Sequence, residues 1–423
     1  MKKKMICSVL GFLLIMGCKE NDPMVVSSGF KVTIENVFQQ KDYFSSGISS
    51  AIGPGESTTF SFHAGKGHHL SFLAMFAQSN DLFYSGTDSG LSLYDASGVP
   101  LSGDITSMFD LYDAGTEVNQ EPGVGADQAP RQSTANTGTT ENGTVKMIAD
   151  VMDGFSYPAD EAIINVNISH DGATMFTVTL KNISNINNFQ TPIAPGVWVV
   201  HSEGQKPLFT VGQPASTDLE AVAEDGNNTP LNNLLMNASG YISPIAPGVF
   251  SVSKTSNPLF MISESSSSSL EALAEDGNPS GFTTLLEGDM DVVEYGIFNT
   301  PTTQSSPAPS FPGESYEFTF DARAGDYLSF ATMLVQSNDL FIGMDKIMLF
   351  NGETPVSGDF TSSLMLFDAF TESNEYPGAG NNQAPRQGNA NTGVTETGNI
   401  STVNDGFNYP AVSEMVKVTI SPM

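Results

Sequence analysis

Short stretches in which apolar and polar residues alternate recur along the whole chain and are separated by turns rich in glycine and proline. Phe30–Val37 and Leu70–Phe76 are two examples, and each has the pattern of a strand with one buried face. The same pattern predicts strands at Thr59–Phe62, Ala162–Ile168, Tyr316–Phe320, Tyr327–Ala331 and Val416–Ile420. Many short alternating strands joined by such turns predict an all-β fold of antiparallel β-sandwiches.

A set of polar motifs occurs once in each half of the chain. The sequence Gln-Ser-Asn-Asp-Leu-Phe stands at 78–83 and again at 336–341. Three further motifs follow both copies in the same order: Asp113–Glu117 with Asp368–Glu372, Ala129–Gln132 with Ala384–Gln387, and Asp153–Pro158 with Asp405–Pro410. Ordered matches of this kind indicate a duplicated domain. Because the shared residues are polar and typical of loops, they predict a repeated site as well as a repeated core.

A smaller repeat lies between the two copies. Residues 193–227 and 245–278 both begin with Ile-Ala-Pro-Gly-Val and both end with Ala-Glu-Asp-Gly-Asn. Each unit has a capping box and, further on, a glycine suited to a helix end, so each predicts one short helix. The residues concerned are Thr217–Glu220 with Gly226 and Ser268–Glu271 with Gly277.

These repeats predict two sandwich domains in tandem. The first is expected at 28–170. The second is expected at 173–423, beginning with the strand Phe176–Leu180 and holding both small units as insertions. Residues 1–17 and 18–27, which precede the first sandwich, are interpreted as a signal peptide and a tether.

The start of the chain has the pattern of a targeting segment. Three lysines precede Met5–Met16, an apolar run too short to span a bilayer as a helix. The run ends at Leu14–Cys18, which resembles the lipobox of bacterial lipoproteins, where the cysteine becomes the lipidated first residue. A lipidated Cys18 would anchor the protein to a lipid membrane. The alternative is a general signal peptide with an incidental cysteine.

The residues after Cys18 bear on the compartment. The short charged segment Lys19–Asp22 resembles surface-export signals of some bacterial lipoproteins, and the alternative is a solvated tether. We therefore expect the outer membrane or the cell surface, otherwise the periplasm. With Cys7 lost in the signal peptide and Cys18 lipidated, no thiol remains for a disulfide, a zinc site or a nucleophile.

The charge of the chain narrows the range of partners. It has 47 acidic residues against 16 lysines and arginines, a formal net charge of −31. Such a charge repels phosphate backbones, which argues against nucleic-acid binding, and it attracts cations. Solubility alone explains much of the acid excess, but not acids that recur at matching positions in loops.

No catalytic motif supports an enzyme. The chain has neither a Gly-x-Ser-x-Gly elbow nor a phosphate-binding loop. Asp113 and Glu117 could imitate a glycosidase pair, but they belong to one loop, and a bound cation would keep both ionised. The histidines do not recur between the copies, which argues against zinc.

Five motifs together resemble the spondin N-terminal domain, and the likeness extends over nearly all of the chain after residue 18, twice over. They are Pro195–His201, Pro207–Gln213, Leu219–Gly226, Gln336–Phe341 and Asp113–Glu117. The resemblance implies a β-sandwich related to C2 domains that binds calcium through acidic loops. Animal members of that family are matrix and adhesion proteins.

The resemblance also implies the metal ligands. It places them at Asp81, Asp113 and Glu117 in the first copy, and at Asp339, Asp368 and Glu372 in the second. Calcium prefers oxygen ligands of this kind. The alternative is that the aspartates cap turns by accepting backbone N–H bonds. The last acid of the family motif is glutamate in both copies, and Phe370 stands where the first copy has Gly115, so the second loop is expected to be strained or differently shaped.

The roles of three other residues can each be interpreted in two ways. Arg131 and Arg386 are rare cations in this acidic chain, and we interpret them as partners of acids such as Asp153 and Asp405. The alternative for both is a ligand carboxylate. Trp198, the single tryptophan, lies in a strand pattern and is interpreted as a core residue, with a sugar-stacking platform as the alternative.

Taken together, the sequence predicts a membrane-anchored surface or periplasmic lipoprotein with two calcium-binding spondin-like domains. Its expected role is adhesion or the binding of an extracellular protein or glycan. The alternatives are a capture protein for a glycan or another polymer and, third, a hydrolase.

Overall fold

The computed structural model describes residues 26–186 and 189–423. The predicted signal peptide, Cys18 and Lys19–Asp22 lie outside the described residues. Within the described part of the chain, no helix combines the length and the apolar character needed to cross a membrane.

The described chain forms two antiparallel β-sandwiches, which confirms the predicted fold class. The first strand, β1 (Ser27–Asn36), belongs to the second sandwich. The first sandwich contains β2 (Ser45–Ile48), β3 (Ser57–His63), β4 (His68–Met75), β5 (Leu82–Ser85), β6 (Leu91–Ser92), β7 (Gly103–Asp104), β8 (Asp110–Asp113), β9 (Lys146–Met147), β10 (Ile164–His170), β11 (Met175–Asn182), β12 (Val197–Ser202), α1 (Thr217–Asp225) and α2 (Thr229–Ala238).

The second sandwich combines β1 with the rest of the chain. Its other elements are β13 (Ile245–Ser253), α3 (Ser268–Asp276), α4 (Gly281–Leu286), β14 (Val292–Phe298), β15 (Ser315–Arg323), β16 (Tyr327–Leu334), β17 (Leu340–Met348), β18 (Phe350–Asn351), β19 (Thr354–Pro355), β20 (Gly358–Asp359), β21 (Leu364–Asp368), β22 (Ser401–Thr402), α5 (Val412–Met415) and β23 (Val416–Pro422). Short 3-10 turns lie at Thr106–Met108, Ile148–Asp150, Asp160–Ala162, Ser184–Ile186 and Thr361–Ser363.

The two sandwiches have matching sheets. In the first, the orders are β3-β11-β10-β7 and β2-β12-β4-β5-β8-β9, with β6 beside β4. In the second, they are β15-β1-β23-β20 and β14-β13-β16-β17-β21-β22. One apolar cluster fills each space between sheets. The first small unit supplies β12, which pairs with β2 in the first sandwich. The second small unit supplies β13, which pairs with β14 in the second sandwich.

Helices cover the outer face of one sheet in each sandwich. Leu219 and Val222 of α1 pack against Val197 and Val199 of β12 in a second, smaller apolar cluster. The helix ends at Gly226, whose φ of +63° is the left-handed cap predicted from sequence. Its start differs by one residue from the predicted capping box, since the N-cap is Ser216, whose hydroxyl accepts from Leu219 N at 3.2 Å.

The predicted division into 28–170 and 173–423 does not match the strand pairing. Strand β1 lies between β15 and β23 of the second sandwich, and β11 lies between β3 and β10 of the first. The unit that follows, with β12 and the helices α1 and α2, also belongs to the first sandwich. The described chain therefore forms one strand of the second sandwich, then the first sandwich, and then the rest of the second.

A short turn accounts for this strand exchange, in which β1 lies in the second sandwich and β11 in the first. Only Asp171–Thr174 separates β10 from β11, so these strands close a local hairpin at low entropic cost. Once β11 occupies that place, β1 has no partner in the first sandwich and completes the second. There Phe30, Val32 and Ile34 are buried, with exposures of 0%, 0% and 1%.

A chain that begins at residue 37 should lose the second sandwich while the first still unfolds cooperatively. Removing β1 takes away a central strand and three buried side chains, each worth about 1.5–3 kcal/mol. Calorimetry should show one of two transitions missing, whereas a control chain that begins at residue 27 should keep both. Identical melting of the two forms would contradict the exchange.

Candidate cation sites

The repeated acidic loops meet at one end of each sandwich. Asp81 lies in the turn between β4 and β5, and Asp113 is the last residue of β8. Because Leu82 pairs with Asp113 across β5 and β8, the two acidic segments are adjacent. The second copy repeats this arrangement, with Leu340 opposite Asp368.

Each residue of the motif at 78–83 has a defined contact. Ser79 Oγ donates to Phe76 O at 2.5 Å and accepts from Leu82 N at 3.1 Å, which closes the turn. Asn80 joins the turn to the next loop by accepting from Gln120 N at 3.1 Å. Leu82 and Phe83 are buried in the two apolar clusters of the first sandwich, so the apolar end of the motif anchors its polar residues to the core.

Asp81 is fully buried and holds the neighbouring loop through one carboxylate oxygen. Its Oδ2 accepts from Thr116 N at 2.7 Å, Glu117 N at 3.0 Å and Thr116 Oγ1 at 3.1 Å. Asp339 makes the same three contacts, with Thr371 N at 2.7 Å, Glu372 N at 3.1 Å and Thr371 Oγ1 at 3.2 Å. This agrees with the turn-capping alternative for the first aspartate of each copy.

The second aspartate and the glutamate are also bonded within their loops. Asp113 accepts from Gly115 N at 2.6 Å and from Asn119 Nδ2 at 2.9 Å. Glu117 accepts from Gly138 N at 2.7 Å and from Asn80 at 3.2 Å. Both oxygens of Glu117 are thus engaged in tying together loop segments.

The second copy matches these contacts. Asp368 accepts from Phe370 N and from Asn374 Nδ2, both at 2.8 Å. Glu372 accepts from Gly393 N at 2.6 Å and from Asn338 Nδ2 at 3.3 Å. The six predicted site residues therefore occupy equivalent places in the two sandwiches.

One oxygen of the first aspartate has no donor in either copy. Asp81 Oδ1 and Asp339 Oδ1 are buried and have no hydrogen-bond partner among the described residues. Burial, followed by the charge of Asp113, raises the pKa of Asp81. Burial and the charge of Asp368 likewise raise the pKa of Asp339 to about 7. Each site is thus a buried acid beside a second acid, where a cation would relieve both effects.

Helix α1 contributes acids to the site that the sequence did not predict. Asp225 Oδ1 accepts from Gln132 Nε2 at 2.8 Å, and Glu220 accepts from Asn136 Nδ2 at 3.1 Å. Glu224 is buried, and its Oε2 has no partner among the described residues. Burial raises the pKa of Glu224 to about 7.

Helix α3 repeats this contribution in the second copy. Gln387 Nε2 donates to Asp276 at 3.0 Å, Asn391 Nδ2 donates to Glu271 at 3.1 Å, and Glu275 is buried with an unpartnered oxygen. The repeated Ala-Glu-Asp-Gly sequence is the signal for these acids, but as a pattern it predicts only the end of a helix.

The predicted triads do not form three-ligand metal groups. Within 26–186 and 189–423, no three histidine, cysteine, aspartate or glutamate side chains are arranged to hold a metal ion. What the described residues show in each copy is a pair of neighbouring acids, Asp81 with Asp113 and Asp339 with Asp368.

Gly115 and Phe370 have the same unusual backbone conformation. Their φ angles are +69° and +53°, so the second loop keeps the shape of the first and carries the strain of a non-glycine residue. The positive φ of Phe370 agrees with the predicted strain in the second loop. The other expectation, that this loop has a different shape, does not hold. A Cβ on Gly115 would lie 2.7 Å from Thr144 N, which is closer than side-chain carbons approach backbone.

The two arginines pin loops, but not through ion pairs with Asp153 or Asp405. Arg131 Nε donates to Gly125 O at 2.6 Å, and its other nitrogens donate to Gln78 and Gln128. Arg386 does the same with Gly380 O, Gln336 and Gln383. Asp153 and Asp405 instead accept from tyrosine hydroxyls, those of Tyr157 and Tyr409. The sequence does not indicate which backbone carbonyl oxygens accept from an arginine, so a prediction from charge alone gives the wrong partners.

Comparison with known proteins adds no further identification. No protein-family model matches the chain, and no curated protein is significantly similar to it.

Gly115→Ala should destabilise the protein more than Gly154→Ala. Both glycines have positive φ, so both variants carry the left-handed backbone cost of about 1–2 kcal/mol. Among the described residues, no atom lies within 4 Å of a Cβ added at Gly154, whereas one added at Gly115 meets the Thr144 backbone. We expect an additional loss of about 1–3 kcal/mol for Gly115→Ala in denaturant unfolding. Equal losses would show that the loop shifts freely.

Proposed function

We propose that this protein is a membrane-anchored bacterial lipoprotein of the cell surface or periplasm with two calcium-stabilised, spondin-like domains. Its role is adhesion or the binding of an extracellular ligand. The observation that supports the calcium role most is the buried Oδ1 of Asp81 and of Asp339, which has no donor among the described residues and lies beside a second aspartate. A bound cation would neutralise a charge pair that burial otherwise disfavours.

The chemistry proposed for the cation is structural. Asp81 and Asp113 would hold it in the first sandwich, and Asp339 and Asp368 in the second. A bound calcium ion supplies positive charge between loops that otherwise repel one another. Thr116 and Glu117 keep the Asp81 carboxylate in place through their N–H groups, so the loop backbone orients the ligand.

Calcium should raise the melting midpoint, and Asp81→Asn should remove most of the response of the first sandwich. A ligand that binds only the native state adds about 2.7 kcal/mol at a hundredfold excess over Kd. The measurement is calorimetry of the chain from residue 19, in calcium and in EDTA. Asp339→Asn should act in the same way on the second sandwich.

Asp95→Asn is the matched control for this experiment. Asp95 also accepts from backbone N–H groups, those of Ser97 at 2.8 Å and Val99 at 2.9 Å, but it lies on the surface. Its variant should keep the full calcium response. If the wild-type midpoint does not change across the millimolar calcium range, these acids are turn caps and the proposed cation role fails.

The membrane anchor has a separate test. Cys18→Ala should release the protein from the membrane fraction or block its maturation, because the lipid would have no attachment point. Fractionation of expressing cells measures this, and protease added to intact cells separates a surface location from a periplasmic one. Normal maturation and unchanged membrane partitioning of the variant would argue against lipidation.

A further inference from the structure

A loop of the second copy forms much of the contact between the two sandwiches. Residues 375–386, which we call the junction loop, lie against residues 64–67, the connection between β3 and β4 of the first sandwich. Lys66 N in that connection donates to Asn381 Oδ1 at 2.8 Å. Next to it, Tyr376 stacks on His63 with 3.6 Å between ring centres and 11° between planes.

Two glycines at this contact have no room for a side chain. A Cβ on Gly65 would collide with Ala379 O and would lie 2.8 Å from Arg386 Cδ. A Cβ on Gly378 would lie 2.8 Å from a ring carbon of Phe44. The backbone of each sandwich thus approaches the other directly. The position of the junction loop therefore determines how the first sandwich is oriented.

The junction is not closely packed beside this loop. A cavity of about 260 Å³ lies there, and its wall includes Phe44, His63, Trp198, Tyr241 and Tyr376. Trp198 is only 8% exposed and belongs to the core of the first sandwich, as predicted from sequence. Domains move relative to one another unless their interface is large and apolar. The contacts of the junction loop thus have a large part in fixing the angle between the sandwiches.

The junction loop is attached to the turn that carries Asp339. Asn338, the preceding residue, accepts from Glu375 N through its Oδ1 at 3.0 Å. At the other end of the loop, Arg386 donates to Gln336 Oε1 at 2.7 Å. Both ends of the junction loop are therefore held by the turn that also supplies the buried aspartate.

The acidic pair holds the segment just before the junction loop. Asp339 accepts from the N–H groups of Thr371 and Glu372. Asp368 accepts from Asn374 Nδ2 at 2.8 Å. Both carboxylates are buried, so when both are ionised they repel each other in surroundings that screen charge poorly. A movement that separates them displaces this segment and, with it, the junction loop.

The first copy has an equivalent acidic pair, but its loop is exposed. That loop, residues 120–131, is tied to its own aspartate turn by the same kinds of hydrogen bond. Glu121 stands where the junction loop has Tyr376, and Val124 stands where it has Ala379. Val124 is 70% exposed, whereas Ala379 is fully buried. The two acidic pairs are thus alike, and the second is the one connected to the junction.

The first acidic pair also lies at the opposite end of its sandwich from the junction. Strand β4 begins directly after the β3–β4 connection and ends before the turn that carries Asp81. Its eight residues place the connection and the turn about 25 Å apart. A change at Asp81 therefore acts far from the contact between the sandwiches.

We propose that the Asp339–Asp368 pair is a cation-dependent lock on the junction. With a cation bound, the segment before the junction loop stays in place, and the loop holds the first sandwich in one orientation. Without the cation, the loop shifts and the first sandwich turns about the chain segments that connect the two sandwiches. The inference rests on the proposed calcium binding and adds a separate role for the second pair.

The distance between two spin labels, one on each sandwich, measures this orientation. Both cysteines lie within the first 18 residues, so Asn167→Cys and Thr319→Cys give unique label positions, exposed on β10 and β15. The chain from residue 19 should show a narrow distance distribution in calcium and a broader one in EDTA. We expect the mean distance to shift by about 2 Å or more. Asp339→Asn should give the broad distribution in both conditions.

Asp81→Asn is the matched control, because it makes the same change at the equivalent residue of the first copy. It should keep the narrow distribution in calcium, although the first sandwich loses its calcium response in calorimetry. Tyr376→Ala tests the contact itself and should broaden the distribution even in calcium, because the ring that stacks on His63 is removed. Tyr327→Ala, at the start of β16 and away from the junction, should leave the distribution unchanged.

The calorimetric and distance measurements separate the two proposals. If calcium raises the melting midpoints but leaves the distance distribution unchanged, the lock is overturned and the calcium role stands. The lock is also overturned if Asp81→Asn broadens the distribution as much as Asp339→Asn does, or if Tyr376→Ala leaves it narrow. If neither the midpoints nor the distances respond to calcium, both proposals fail.

Discussion

The hairpin between β10 and β11 is the constraint on which the rest of the structure depends. Because Asp171–Thr174 joins these strands directly, β11 takes the central place in the first sandwich, and β1 must complete the second. The chain therefore crosses between the sandwiches twice. The crossings bring the edge strands β2 and β3 beside loops of the second copy, where His63 stacks on Tyr376 and Lys66 N donates to Asn381 at 2.8 Å. The junction is thus a consequence of strand exchange.

Within each sandwich, a single buried carboxylate organises the long loops. These loops contain almost no regular secondary structure, so their N–H groups need other acceptors. Asp81 supplies one for Thr116 and Glu117, and Glu117 in turn supplies one for Gly138. The cost is that the other oxygen of Asp81 is buried beside Asp113 without a donor among the residues that the structure describes. A cation would offset that cost, which explains how one set of residues can serve both turn capping and metal binding.

Much of this fold could be predicted from alternation and repetition, but strand partners could not. Alternation shows which face of Phe30–Val37 is buried, and Phe176–Leu180 has almost the same pattern. Either strand could complete either sandwich, so the pattern identifies the elements and leaves their pairing open. The acidic loops could be identified from sequence because they recur as motifs in both copies. Glu224 was not predicted as a site residue, because the sequence around it already fits a helix. The direction in which one side chain points from a helix toward a loop leaves no periodic pattern in the sequence.

Duplication and exchange have different consequences for binding. A site made within one copy, such as Asp81 with Asp113, is repeated because both copies inherit the same loops. The cavity between the copies exists once, since the first sandwich contributes β2, β3 and β12 to its wall and the second contributes different elements, including Tyr241 and Tyr376. Residues at such a junction are free to differ from their counterparts. Trp198 and Phe250 occupy equivalent strand positions, and this difference between the copies falls at the junction, because Trp198 is part of the wall of the cavity there.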